Sequence, residues 1–459
     1  MTAVPGEGAG AAPVPPGMRV FSRAGVRAAL IRTSGLTALM YLLSVGRDVL
    51  LAGYYGGSPA LDILFIATAP SQFLGLEIAT LTYLALLPEF VGAAHRGGTD
   101  IGGLLRRRVT FAGLIGLLVG GALAVAGALV PEFFAPGFAH RGGLSLVQWS
   151  IAVCSALVPI FAVAGTLRAM LESQGRFSPW AVYPGLRSVA LVICAVAGAA
   201  SRGIGWLLAG TLIGTLAGPL YFAGLAGLHR FDRAAGSDAP AVSATVPKAL
   251  PALAGSLLLG AVTVSIDNAF ASATGLGGVQ ALTIATNLLL VPQALIGGVV
   301  ATVFFPVYAS HWAQGDRTMA LRALRRSARL VALGLLPFVI LFCSPLGTMV
   351  ARLVYRHGTF DESLTVLVGQ TAAALALGQV GYAIFVLFKQ FMLVVAAPVT
   401  LLEASAVYLV AKWVGNRALV GPLGLPGIAL ASSIASALAC TYLLLRLWGL
   451  RRSWQRAAT

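Results

Sequence analysis

Twelve apolar stretches, most of them 20 residues or longer, follow one another along this chain with only short polar breaks between them. They cover about 33–55, 61–91, 108–130, 146–171, 179–200, 203–228, 249–273, 279–310, 328–352, 363–388, 391–412 and 424–448. A run of ~20 apolar residues crosses the hydrocarbon core of a bilayer as a helix. A helix is also the form that satisfies its own backbone hydrogen bonds there. The expected fold class is therefore all-α integral membrane, with about 12 transmembrane helices. Composition agrees: 58% of residues are hydrophobic and 10% charged, against about 25% charged in soluble domains. That excludes a soluble enzyme and a disordered chain. Pro70, Pro88, Pro184, Pro219, Pro292 and Pro306 fall inside spans, where they mark kinks.

The polar segments divide the chain. Residues 1–32 read as a Pro/Gly/Ala-rich and then basic N-terminal segment, without the apolar stretch of a cleavable signal. A first six-helix half covers 33–228, a polar linker 229–248, a second half 249–448, and a basic tail 449–459. The first span is expected to act as an uncleaved anchor. The net charge of +16 reads as the positive-inside bias rather than as a nucleic-acid surface. With the N-terminus inside, the inner segments 19–32, 96–108, 168–176, 230–248, 317–329, 389 and 446–456 hold 23 Lys and Arg, and the outer ones hold 6. Both termini are expected on the cytoplasmic side of a bacterial inner membrane. His311 to Arg329 reads either as a surface-lying amphipathic helix or as a solvated loop helix.

An internal repeat sets the architecture. Asp48, Gly56-Gly57, Ile66-Ala67-Thr68 and Pro88 are matched by Asp267, Gly277-Gly278, Ile284-Ala285-Thr286 and Pro306. Asp to Pro spans 40 positions in one and 39 in the other; Asp to Ile spans 18 and 17. Six helices per half bring both halves into the membrane from the same side. The expectation is two parallel, pseudo-symmetric six-helix halves around a central cavity, as in several secondary transporters.

Charges at mid-membrane cost ~2.5–3.5 kcal/mol on insertion scales, so they face the bundle interior. Arg47, Asp48, Asp62, Glu77, Arg187, Asp267, Lys389 and Glu403 are the candidates, with Asn268, Asn287, Gln293, Gln370 and Gln379 as neutral companions. Arg47 and Asp48 point ~100° apart on one helix, so each is expected to pair with another helix. Asp48, Asp62, Glu77, Asp267 and Asn268 are the cavity or coupling set, because a carboxylate in a cavity can exchange H⁺ or Na⁺. Asp62 and Lys389 lie near helix ends, where reaching back to water is the simpler account.

Other chemistry has no footing. The five histidines are scattered in loops and no nucleophile–His–acid grouping exists, so no catalytic residue is assigned and the chain is not read as an enzyme. Cys154, Cys194, Cys343 and Cys440 sit in apolar runs without metal-ligand spacing, so no metal is expected. No P-loop is present, and no cofactor is expected beyond a coupling H⁺ or Na⁺.

Several motifs together resemble a known family. They are Gly46-Arg47-Asp48, Tyr54-Tyr55-Gly56, Leu61 to Ala67, Leu87-Pro88-Glu89-Phe90, Ala135-Pro136-Gly137-Phe138, Gly175 to Pro179 with Pro184, and Tyr355 to Phe360. In order and placement they resemble the MurJ (MviN) lipid II flippase family of the MOP flippase and multidrug-exporter superfamily. The resemblance implies an inner-membrane flippase carrying an undecaprenyl-diphosphate-linked precursor of the cell envelope by alternating access. Arg47 matches one of the family's cavity arginines and is kept. The others fall on Tyr41, on Leu74 and Gly75, and on Asn287; the family's neighbouring acids fall on Leu290 and Ala79. Members commonly carry two further helices after the twelfth.

The substrate-binding set expected on this reading is Arg47, Asn287 and Gln293. The expected partners are a lipid-linked glycan or amphipathic substrate, membrane lipids and proteins of cell-wall synthesis, with no nucleic acid. Two alternatives stand beside it. One is an exporter of an amphipathic small molecule or another polysaccharide precursor. The other is a non-transporting membrane scaffold for envelope synthesis.

Overall fold

The computed structural model describes residues 23–96, 101–226, 250–395 and 397–456. Most of the N-terminal segment 1–32 and all of the linker 229–248 lie outside these residues. Among the described residues there are helices and no strand. Twelve long helical elements carry the fold: α1 Arg23–Tyr55, α2 Pro59–Arg96, α3 Ile101–Leu129, α4 Leu144–Ser155 continuing as Leu157–Ser173, α5 Ser178–Ala197 and α6 Ile204–Ala226. Then come α7 Leu250–Thr274, α8 Gly278–Pro292 continuing to Ala313, α9 Arg317–Cys343, α10 Glu362–Val394, α11 Pro398–Leu423 and α12 Leu425–Arg456.

Eleven of the twelve are long and apolar enough to cross a membrane. The exception is α11, which carries Glu403, Lys412 and Arg417 in its 26 residues. Two of those charges have partners, Lys412 in a buried pair and Glu403 on a half-exposed face. Lys412 is paired with Asp267, and Glu403 with Arg446. Leu118, Leu129 and Leu333 on other helices are 75%, 75% and 69% exposed. Leucines so placed have lipid, not water, as their natural solvent.

Several helix limits differ from the apolar pattern. The stretch 328–352 is two elements, because α9 begins at Arg317 and ends at Cys343. Ser344 then caps a short helix, Pro345–Tyr355, by accepting from Leu346 N. That helix turns Leu346, Met349 and Leu353 outward and buries Gly347, Ala351 and Tyr355, as a helix in the membrane interface does. The segment His311 to Arg329 is neither a loop nor a separate surface helix. It is the end of α8 and the first turns of α9, which Asp316 caps through Met319 N at 2.9 Å. The break before α11 comes at Ala397, where Pro398 starts a helix, and not at Lys389.

Packing follows one scheme in both sets of six. α2 packs on α4 as α8 packs on α10. In the same way α1–α5 matches α7–α11, α3–α4 matches α9–α10, and α5–α6 matches α11–α12. The paired turns also correspond, since Gly57 and Gly277 hold φ of 71° and 81°, a conformation that favours glycine.

The two sets meet through α1, α2, α7 and α8, and hydrogen bonds between them gather at the end carrying those turns. Asp62 Oδ2 accepts Gly277 N at 2.8 Å and Oδ1 accepts Gln280 N at 2.9 Å. Gln280 returns the contact, accepting Gly57 N at 3.0 Å and donating to Ser58 O at 2.7 Å. Gly137 N and the Arg141 guanidinium both reach Ser272. Thr359 N donates to Gly53 O at 2.9 Å. We call this the clasped end.

Candidate functional site

Two cavities lie side by side between the halves. The smaller, about 160 Å³, is walled by α1, α2, α5, α6 and α8; the larger, about 450 Å³, by α2, α7, α8, α10, α11 and α12. Ala69, Thr283 and Asn287 line both, so the two are compartments of one space. The repeat explains part of the lining. Thr68 faces the smaller compartment and Thr286, its counterpart, the larger.

The smaller compartment is cationic. Arg47 enters from α1 and donates from Nε and a terminal nitrogen to Asp48 Oδ1 at 2.9 and 2.6 Å. The expectation that these neighbours point apart and do not pair is overturned. The Arg side chain is long enough to fold back on the adjacent carboxylate, which at 1% exposure has no water to turn to. The other Asp48 oxygen accepts Asn287 Nδ2 at 2.8 Å, which ties α1 to α8. Arg187 enters the same compartment from α5. Its guanidinium lies 4.9 Å from the ring centre of Phe161 and 6.0 Å from that of Tyr183. Cation–π contact of this kind holds a guanidinium without neutralising it. Among the described residues no carboxylate pairs with Arg187. Two guanidiniums against one acid leave the compartment with a positive charge for an anion. Arg is well suited to phosphate oxygens, which its planar fork meets with two parallel hydrogen bonds.

The position where the family resemblance would set an arginine is Gly75. A Cβ there would lie 2.5 Å from the Phe161 ring, so Phe161 fills that space and carries Arg187 above it. Sequence reasoning noted Arg187 as a charge inside a span but assigned it no place in the site. The missing signal is its contact with Phe161 of α4, which only packing reveals.

The larger compartment contains most of the remaining candidates. Asp267 lines it and is ion-paired with Lys412 and hydrogen-bonded to Asn416 at 3.2 Å. Lys412, counted among the outer loop charges from the sequence, is 6% exposed inside α11. Gln293 sits where α8 passes into a π-helical segment, Gln293–Gly298, and accepts Gln379 Nε2 at 2.8 Å. Such segments often mark functional positions in helices. Asn268 also faces this compartment, and its Nδ2 has no hydrogen-bond partner among the described residues. Glu77 on α2 and Lys389 on α10 line it from opposite halves, near enough for each to act on the other's charge. Lys389 is therefore not at a helix end: α10 continues past it to Val394, and its side chain lines the chamber.

Asp62 is a second correction. It lines neither compartment and is 0% exposed. Its two oxygens accept N–H groups at the amino terminus of α8, where they satisfy otherwise unpaired donors and meet the positive end of the helix dipole. It is placed as a clasp between the halves and not as a cavity-lining acid.

Comparison with known proteins places this geometry. The family model described as lipid II flippase MurJ matches residues 52–457. The chain is 25% identical to a probable lipid II flippase MurJ of Rhizobium tropici over 361 residues, covering 76% of this chain and 67% of that protein. It is 23% identical to the lipid II flippase MurJ of Burkholderia cenocepacia over 441 residues, 92% and 83% of the two chains. A solved lipid II flippase MurJ in an inward closed conformation superposes with a TM-score of 0.71 at 20% identity, over 91% of this chain and 87% of the other. An inward-facing MATE multidrug transporter of the MOP superfamily gives 0.69 at 16% identity, over 92% and 96%. At these identities the superpositions speak for the fold.

Proposed function

This chain belongs to the lipid II flippase MurJ family, and from that premise we propose that it moves an undecaprenyl-diphosphate-linked cell-envelope precursor, lipid II or a glycolipid like it, across the bacterial cytoplasmic membrane. The observation that carries the reading is the shared compartment of Arg47 and Arg187. It offers two guanidiniums and one carboxylate to a group entering from the larger chamber. A diphosphate is the part of such a lipid that needs them, while the polyprenyl tail stays in the bilayer.

The clasped end is the outer one on this reading and both termini are cytoplasmic, a placement that the distribution of Lys and Arg supports. Cargo enters from the inner side, the inner ends of the two halves then close, and the clasp opens. Such rocking of two repeats about a central site is how alternating access works. Glu77 is the residue placed to exchange a coupling H⁺ or Na⁺, since it lines the chamber and forms no ion pair among the described residues. Nothing in this cycle makes or breaks a covalent bond of the cargo.

One observation favours a second reading, export of an amphipathic small molecule. A chamber of about 450 Å³ has the size of a drug-binding pocket. Expression in bacteria depleted of their own lipid II flippase separates the two. Rescue of growth with lipid II exposed on the outer face supports the flippase. Correct insertion with no rescue, and reduced accumulation of dyes or drugs, supports export.

A further inference from the structure

A segment of the second half lies along α1 of the first. After the short helix Pro345–Tyr355 the chain passes α1 in a fixed register. His357 Nε2 lies 3.3 Å from Val49 O, Thr359 N donates to Gly53 O at 2.9 Å, and a Cβ on Gly56 would lie 2.8 Å from the Phe360 ring. These contacts climb α1 about one turn at a time. The approach is close, since a Cβ on Gly358 would collide with Gly53 O. Taken back from His357, the same register brings Tyr355 to the level of Asp48. There it is near enough for the charges of Asp48 and Arg47 to act on its hydroxyl.

Tyr355 is 0% exposed, and its hydroxyl has no hydrogen-bond partner among the described residues. A buried hydroxyl without a partner is costly, and such a group calls for an explanation in a native fold. Phenylalanine would fill the same space without that cost. Asp48 is in the opposite position. At 1% exposure it has donors on both oxygens, Arg47 on Oδ1 and Asn287 on Oδ2. On the flippase reading Arg47 must turn to the diphosphate of the cargo. Oδ1 then loses both its donors where water does not reach, and a buried carboxylate stripped of its partner opposes the exchange.

We propose that Tyr355 is a positioning residue for cargo binding: its hydroxyl becomes the donor to Asp48 Oδ1 when the Arg47 guanidinium moves to the anionic cargo. The proposal rests on the flippase reading above. No proton is transferred; one O–H···O bond replaces two N–H···O bonds. The replacement lowers the cost of freeing Arg47, so the cargo binds more tightly than it would against a stranded carboxylate. Tyr355 belongs to the second half and Asp48 to the first, so the new charge-assisted bond joins the halves in response to cargo.

The test uses the full chain in lipid nanodiscs with farnesyl diphosphate as the probe, titrated by native mass spectrometry, beside thermal unfolding without probe. Tyr355→Phe should weaken probe binding about tenfold, the scale of one hydrogen bond to a charged group. The unliganded variant should melt no lower than the parent, because the hydroxyl it loses has no partner there. A tyrosine with a merely structural role would lose stability and binding together. In an Asp48→Asn chain, adding Tyr355→Phe should leave binding where Asp48→Asn alone puts it, since the charged acceptor is gone. Fluorotyrosine in place of Tyr355 keeps the hydroxyl and serves if Tyr355→Phe does not fold. Its fluorine resonance should shift on adding farnesyl diphosphate, and should not in the Asp48→Asn chain. Unchanged affinity in Tyr355→Phe, a lowered unliganded melting temperature, an equal loss in both backgrounds or a resonance that stays in place would overturn the proposal. The flippase reading then stands if Arg47→Met still weakens the probe. No binding of farnesyl diphosphate by the parent chain would overturn both.

Discussion

The carboxylate of Asp62 accepts the amide of Gly277 at 2.8 Å, joining the start of α2 to the start of α8 across 215 positions of sequence. A helix amino terminus attracts negative charge, so the bond holds the halves together where the clasp must later open. Asp62→Asn keeps the shape and removes the charge. The loss of ~1–2 kcal/mol of capping energy should shift the clasp toward its open form by about tenfold. A cysteine at Thr286, in a background without the four native cysteines, would report it. Labelling by an impermeant maleimide from the outer face should rise by that factor; unchanged labelling would show that Asp62 does not hold the clasp.

Lys412 should be far more important to stability than a surface lysine. Lys412→Met leaves Asp267 buried without its counter-ion, a change that costs on the order of 3–5 kcal/mol. Adding Asp267→Asn should restore most of the loss, because no lone charge then remains. Thermal unfolding in detergent reads both variants. Equal melting temperatures for Lys412→Met and the parent would contradict the pairing.

Gly75 is a steric prediction. With a Cβ 2.5 Å from the Phe161 ring, Gly75→Ala should cost about 1–3 kcal/mol by overpacking. Phe161→Leu in the same chain should recover part of it, since contacting residues are not additive. The melting temperatures of the two singles and the double decide the matter, and strict additivity would refute the contact.

These residues also show what a sequence conveys and what it does not. The helices, the repeat and most of the inward-facing charges were legible because each is a local property: apolar length, matched spacing, or charge at membrane depth; Glu403, which pairs with Arg446 on a half-exposed face, is the exception. Partnership was not. Asp62 looked like a water-seeking end residue because its partner, Gly277, belongs to the other half. Lys412 looked like a loop charge because the start of α11 is set by Pro398, nine residues after the Lys389 break suggested by charge alone. Arg47 and Asp48 pair because a flexible side chain can defeat a helical wheel. Arg187 gained its place only when packing set Phe161 between it and Gly75.

The Glu77–Lys389 relationship predicts a charge-swap result. Opposite charges facing each other across the chamber contribute on the order of 1–2 kcal/mol at an effective dielectric near 20, or about tenfold in rate. Lys389→Glu should slow transport by that amount, and Glu77→Lys in the same chain should restore it. Growth of flippase-depleted cells under graded expression would measure both. A swap no better than the single change would remove this pair from the transport cycle.

The central claim is that the Arg47–Arg187 compartment carries a polyprenyl diphosphate across the bilayer. Purified protein in liposomes containing a fluorescent polyprenyl-diphosphate disaccharide tests it most directly, with an impermeant quencher reporting which leaflet holds the lipid. The account predicts translocation well above empty liposomes, reduced about 10- to 100-fold by Arg187→Met or Arg47→Met, the scale of one or two charged hydrogen bonds. Translocation that is absent from correctly folded protein, or that survives both substitutions at the parent's rate, would contradict it.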